Sequence, residues 1–157
     1  MKYSSTNALC DFEFHDAELE FDTLDNGRLR VKAYCLNIHK GTEQNQHPTD
    51  MEIALAYISF EGFSLLSYKP DTEWRQDEHG EYVPAEQRMF LTEDSALSHF
   101  LKQLRGRLTV LDLGEHEPNT CFMDGIGIDR FFTALFTFES VTIEWDEYKK
   151  AAWYTTK

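Results

Sequence analysis

Two stretches of this chain alternate apolar and polar residues with a period of two, which restricts the fold more than any other feature. Ala17, Leu19 and Phe21 alternate with Glu18, Glu20 and Asp22, and Leu29, Val31, Ala33 and Cys35 alternate with Arg30, Lys32 and Tyr34. Further on, Phe132, Ala134, Phe136 and Phe138 share one parity, and Val141, Ile143 and Trp145 match them across a Glu139-Ser140 turn, as a hairpin would. This is the pattern of antiparallel strands with one face in a core and the other in water. The helical period is clear once, where Leu97, Phe100, Leu101 and Leu104 form a stripe between Thr92 and Gly106. Thr92 can cap its start, Glu93 and Asp94 suit its positive end, Lys102 and Arg105 its negative end, and Gly106 a left-handed stop. The order of elements is not the alternation that builds a parallel sheet. The expected fold is therefore α+β, mostly β: six to nine strands in an antiparallel sheet curved or doubled into a sandwich or roll. One helix, about 92–105, packs on it, within a single domain over 1–157.

Finer features follow from the same alternation. Between the first two strands lies Asp25-Asn26-Gly27. A plain two-residue turn there would set Asp22 opposite Val31 and mix the wet and dry faces. A three-residue loop with Gly27 left-handed sets Phe21 opposite Val31, Leu19 opposite Ala33, Asp22 opposite Arg30 and Glu20 opposite Lys32, and is the predicted register. Phe12 and Phe14 have the opposite parity, so a bulge, kink or turn is expected at His15-Asp16. Residues 40–50 read as a polar loop, and Met51 to Phe60 as a central strand. Leu108 to Leu113 reads as a strand followed by a polar turn over Gly114 to Asn119.

With 157 residues and 22 of them aromatic (Phe, Tyr or Trp), the chain has enough to bury and is not disordered. Its formal net charge of −13 is concentrated in two segments, Asp11–Asp25 and Pro70–Asp94. That charge repels phosphate backbones and anionic lipid, so neither nucleic acid nor a membrane is an expected partner. No apolar run approaches the ~20 residues of a membrane span. Met1 to Leu9 lacks the apolar stretch of a secretion signal. Cys10, Cys35 and Cys121 are odd in number and widely separated, which fits reduced thiols and a cytoplasmic protein.

No pattern specifies a reaction or a cofactor. Glu115, His116 and Glu117 are the densest cluster of metal-ligating types, but they could serve one ion only on a turn, because a strand would divide them between two faces. His39 and His47 flank the 40–50 loop. Asp124-Gly125-Ile126-Gly127-Ile128-Asp129 lacks the acid spacing of a calcium loop and reads as a tight corner between strands. His15 and Asp16 form a pair that could orient an imidazole. Trp153 and Tyr154 are of the types enriched at recognition surfaces. In the second acidic segment, Glu73, Asp77, Glu78 and Glu81 lie in a long polar stretch, 70–89, that can hold a hairpin around Glu78–Glu81.

Phe14-His15-Asp16-Ala17, followed by a short strand and an Asn-Gly hairpin, resembles the opening of small bacterial domains that begin Phe-His-Asp-(Ser/Ala). Their C-terminal ends are similar to Val141–Tyr154, with Trp145-Asp146 and Ala152-Trp153-Tyr154. Some such domains are proposed as immunity proteins in toxin systems. The resemblance implies a β-rich bacterial cytosolic domain and brings no catalytic residue with it. The resulting expectation is a non-catalytic binding protein, immunity-like, with a basic protein partner met by Glu73, Asp77, Glu78, Glu81, Trp153 and Tyr154. Two alternatives stand beside it. One is a small-ligand site or enzyme at the sheet end beneath the 70–89 loop. The other is a self-assembling domain using an edge strand near 141–148. The oligomeric state stays open between monomer and homodimer.

Overall fold

The computed structural model describes residues 1–71, 74–84, 93–128 and 131–155. Strands β1 (Tyr3–Thr6), β2 (Phe12–Glu13), β3 (Glu18–Asp25), β4 (Arg28–Tyr34), β5 (Asn37–Ile38), β6 (Met51–Ile53), β7 (Ala56–Glu61) and β8 (Ser64–Pro70) precede the hairpin strands β9 (Trp74–Gln76) and β10 (Tyr82–Pro84). Helix α1 (Glu93–Arg105) follows, then β11 (Leu108–Glu117), β12 (Thr120–Ile126), β13 (Phe131–Thr137), β14 (Ser140–Trp145) and β15 (Tyr148–Ala151). Among the described residues the molecule is mostly β with one α-helix, and the strand pairs are antiparallel. A nine-stranded sheet runs β1-β14-β7-β4-β3-β11-β12-β13-β8, a four-stranded sheet runs β15-β6-β5-β2, and β9 and β10 pair alone.

The large sheet is not closed into a barrel: β1 and β8 are its edges. It folds over on itself. Phe60 of β7, third in the order, packs its ring 5.3 Å from Phe136 of β13, eighth in the order. Two connections cross between these layers, Glu61–Phe63 and Phe138–Glu139, and lie side by side, the Glu139 N–H donating to the Glu61 carbonyl at 2.7 Å. Helix α1 fits against β8, β3 and β11. Its Phe100 stacks on Phe63 at 6.3 Å and meets Phe132 and Phe136, so the helical stripe completes the aromatic core.

Several expectations are corrected by this topology. β13 and β14 each alternate as read, but they do not form a hairpin: β13 pairs with β12 and β8, β14 with β7 and β1. Parity specifies which face is buried and says nothing about the neighbour. Residues 141–145 are thus interior to the large sheet, and of the 141–148 stretch only Tyr148, the first residue of β15, lies on an edge strand, that of the small sheet. The run Met51–Phe60 is divided at Ala54-Leu55 between β6 of the small sheet and β7 of the large one. The fifteen strands among the described residues exceed six to nine partly because runs that read as one strand are split where the chain changes sheet, and partly because the short strands β1, β9, β10 and β15 add to them. The β3–β4 turn is a two-residue Asn26-Gly27 turn, with φ of 51° and 74°, and parity is restored by a bulge that sets both Asp22 and Thr23 against Arg30. The predicted inner pairs Phe21–Val31, Leu19–Ala33 and Glu20–Lys32 all form, and Arg30 still bonds Asp22 at 2.9 Å. At the end of α1 it is Arg107 that is left-handed, φ 64°, while Gly106 makes room for Ile128: a Cβ there would clash with its side chain. Gly125 is inside β12 rather than in a corner. Thr92, the expected cap, lies outside the described residues.

Candidate functional site

The phase flip at His15-Asp16 is the point where the chain leaves the small sheet, after β2, and enters the large one, at β3. It is a turn: the Ala17 N–H donates to the Phe14 carbonyl, the Asp16 N–H donates to Val110, and Asp16 is left-handed with φ 69°. Asp is among the few residues that tolerate this conformation. The Glu13 carboxylate accepts the His15 N–H at 3.0 Å. The His15 ring lies with Nδ1 2.8 Å from the Leu111 carbonyl, an acceptor only, so Nδ1 carries the hydrogen and Nε2 is left to the surface, 3.7 Å from Asp16. The Leu111 carbonyl, and then the Asp16 charge, push the His15 pKa above its ordinary value.

A second imidazole is held in a comparable way. The 40–50 loop is ordered around buried Asn45, whose amide donates to the carbonyls of Ile38, His39 and Thr49. At its end the Asp50 carboxylate accepts three hydrogen bonds: from the Lys40 N–H at 2.9 Å, from His39 Nδ1 at 2.9 Å and from the Tyr154 hydroxyl at 2.7 Å. Partial burial opposes the charge on Asp50, but these donors outweigh it and hold the carboxyl below its usual range. Burial, and then the Asp50 carboxylate, push the Tyr154 phenol well above its usual range. Tyr154 reaches Asp50 because the chain after β15 turns back, with the Ala152 N–H donating to the Asp50 carbonyl at 2.9 Å.

Glu13, His15, His39, Trp153 and Tyr154 line a cavity of about 280 Å³. A second, of about 430 Å³, is lined by His15, Asp16, Cys35, Glu52, Lys150 and Trp153. The two share His15 and Trp153 and form one cleft, with the indole, 57% exposed, between its halves. The Glu52 side chain is only 8% exposed, and its two oxygens are met by Lys149 Nζ at 3.3 Å and Lys150 Nζ at 3.9 Å. Burial, with Glu52 nearby, raises the Cys35 pKa, which opposes a thiolate there. Chemically the cleft offers two tethered imidazoles, carboxylates and one aromatic face.

Four residues singled out in the sequence, His15, Asp16, Trp153 and Tyr154, are therefore brought together from opposite ends of the chain. Asp77, Glu78 and Glu81 are elsewhere, at the tip of the β9–β10 hairpin, and Glu73 lies outside the described residues. The Asp77 carboxylate builds that tip by accepting the N–H groups of His79 at 2.8 Å and Glu81 at 2.9 Å. Trp74, Gln76 and Tyr82 share one hairpin face, with Trp74 62% and Tyr82 70% exposed. Glu115, His116 and Glu117 are not on a turn: β11 extends through them. Glu115 accepts the Asn119 N–H and His116 packs on Phe122 at 4.7 Å. Among the described residues no group of three His, Cys, Asp or Glu is placed to hold a metal ion, and no helix is long and apolar enough to cross a membrane. His47 does not join His39; it packs on Tyr148 at 5.2 Å. Glu13, Asp50, Glu52 and Lys150 were not legible as site residues, because each acquires its role from a partner remote in sequence or in the other sheet. Comparison with protein-family models, with curated proteins and with solved structures found no match to this chain.

Proposed function

We propose that this chain is a non-catalytic binding protein of the immunity type, which engages a basic protein partner through the β9–β10 hairpin. One observation carries the reading: the hairpin sets the exposed rings of Trp74 and Tyr82 beside a preformed acidic tip of Asp77, Glu78 and Glu81. Exposed aromatics beside a cluster of acidic side chains are the composition of an anchored, electrostatically steered interface. The test is retention from a lysate of the native host by the wild-type chain and by two variants, Trp74→Ala and the double variant Glu78→Lys, Glu81→Lys. The expected result is one basic protein held in stoichiometric amount by the wild type and lost from both variants. Equal retention by all three overturns the reading.

The small-ligand reading has an observation of its own. A cavity of about 400 Å³ lies where the chain enters the hairpin, lined by Lys69, Pro70, Asp71, Asp124, Phe131 and Thr133 among others. Its polar wall includes the Thr133 hydroxyl donating to Asp124 at 2.6 Å. A small-molecule thermal-shift screen would detect a ligand there as a stabilisation lost in Asp124→Asn.

A further inference from the structure

Large apolar side chains exposed singly need no explanation, but in this molecule they gather. Of the eight exposed among the described residues, five are Trp74, Tyr82, Ile126, Ile128 and Phe131. Ile126 and Phe131 pair directly across β12 and β13, so their side chains share one face of the large sheet, and Ile128 follows Ile126 where β12 ends. The hairpin leaves from the same place, where the Asp71 N–H donates to the Phe131 carbonyl at 2.8 Å. Three residues span at most about 11 Å, so Trp74 begins close to that contact. The exposed rings of β9 and β10 and the apolar end of β12 and β13 are therefore neighbouring parts of one end of the molecule.

Next to this apolar strip is the cavity of about 400 Å³, whose wall includes Pro70, Leu111, Asp124 and Phe131. Asp124 and Thr133 pair two positions along from Ile126 and Phe131, on the same face. On its other side Asp124 stands opposite Asp112 of β11. Like charges directly opposite one another destabilise a sheet. Among the described residues no cation forms an ion pair with either carboxylate, and the hydrogen bond Asp124 accepts is that of the neutral Thr133 hydroxyl. Lys69, the cation in the cavity wall, is one strand further on, opposite Thr133. An exposed Ile–Phe pair and an unanswered Asp–Asp pair thus lie side by side. A partner that brings an apolar segment and a cation removes both costs at once.

We propose that this sheet end is the second half of the interface begun by the hairpin. The basic protein partner seats an apolar segment on Ile126, Ile128 and Phe131 and inserts a lysine or arginine side chain into the cavity, its cation lying against Asp124 and Asp112. The inference rests on the hairpin reading for its partner and adds where that partner's apolar anchor and its charge are received. Charge complementarity selects a basic protein over a second copy of this chain, since two chains of net charge −13 repel each other.

The test uses the host protein that the wild-type chain retains, purified, with its affinity for the full chain and for variants measured by biolayer interferometry at low and moderate salt. Phe131→Ala and Ile128→Ala are each expected to weaken binding about tenfold or more, as the loss of an anchor does. Asp124→Asn is expected to weaken it about three- to tenfold and to flatten its salt dependence. Thermal melts of all three confirm folded chains, and the half-exposed positions 128 and 131 give two independent readings of the same surface. If the wild type retains no basic protein, this inference falls together with the hairpin reading. If the retained protein is lost from Trp74→Ala yet binds all three sheet-end variants as it binds the wild type, this inference alone is overturned. A dimer of the chain in light scattering that Phe131→Ala dissolves assigns the face to a second copy. A small-molecule stabilisation lost in Asp124→Asn, with partner binding kept, assigns the cavity to a small ligand. Either of these results also overturns the proposal.

Discussion

At the scale of single residues, the Asp50 carboxylate ties three parts of the chain together: the Lys40 backbone, the His39 ring and the C-terminal Tyr154. Removing it leaves a ring nitrogen and a phenol without their acceptor, so Asp50→Ala is expected to cost about 1–3 kcal/mol in urea unfolding near neutral pH. Its folded pKa is depressed, so its contribution is present above the unfolded carboxylate value of about 3.9 and is lost as pH falls through the folded value. The gap between wild type and Asp50→Ala is therefore expected to hold from neutral pH to about 5 and to shrink in acid. His15 has the opposite sign. Its folded pKa is raised, so its contribution is complete below the unfolded value of about 6.5 and is lost as pH rises through the folded one. Titration of the His15 ring signal by NMR is expected to give a midpoint above 6.5 that falls in Asp16→Asn, since the Asp16 charge is one of its causes. The pairing His15-Asp16 was legible in the sequence as adjacent letters. Its Leu111 acceptor, 96 positions away, was not.

At the scale of elements, two glycines separate conformational from steric need. Gly27 is left-handed and a Cβ there would meet nothing within 4 Å, so Gly27→Ala should cost about 1 kcal/mol, and no change in a neighbouring side chain should recover it. Gly106 is not left-handed, and its Cβ would strike Ile128. Gly106→Ala should cost about 1–3 kcal/mol, with much of that recovered by adding Ile128→Ala. Urea midpoints of the two single variants and the double variant check both statements. The β3–β4 pair teaches the same separation. Charge and polarity correctly specified that Glu20 faces Lys32 and Phe21 faces Val31. They did not specify where the extra residue goes, because a bulge within β3 and a longer turn restore parity equally well. The strong preference of Asn-Gly for a two-residue turn puts it in the strand.

At the scale of the whole molecule, the fold rests on contacts between residues far apart in the chain. Tyr3 pairs with Trp145 across the outermost strands, and Phe60 meets Phe136 and Phe138 between layers. Phe60→Ala should therefore cost about 3–5 kcal/mol, read as a lowered urea midpoint, because it opens a cavity where the two halves of the sheet face each other. By itself the sequence determined that this chain is an antiparallel, mostly β protein, which residues of its strands are buried, that one helix lies near 92–105, and that its acidity falls in two segments. Periodicity and charge are local properties, carried by residues two to four apart, and they survive any arrangement of the strands. Tertiary structure alone decided that β13 and β14 lie at opposite ends of the order, that the chain changes sheet at His15-Asp16 and at Ala54-Leu55, and that Glu13, His39, Glu52 and Trp153 share a cleft, with Asp50 holding the His39 ring. Strand neighbours and site membership depend on which faces meet, and a period of two is identical for every pairing that buries the same side.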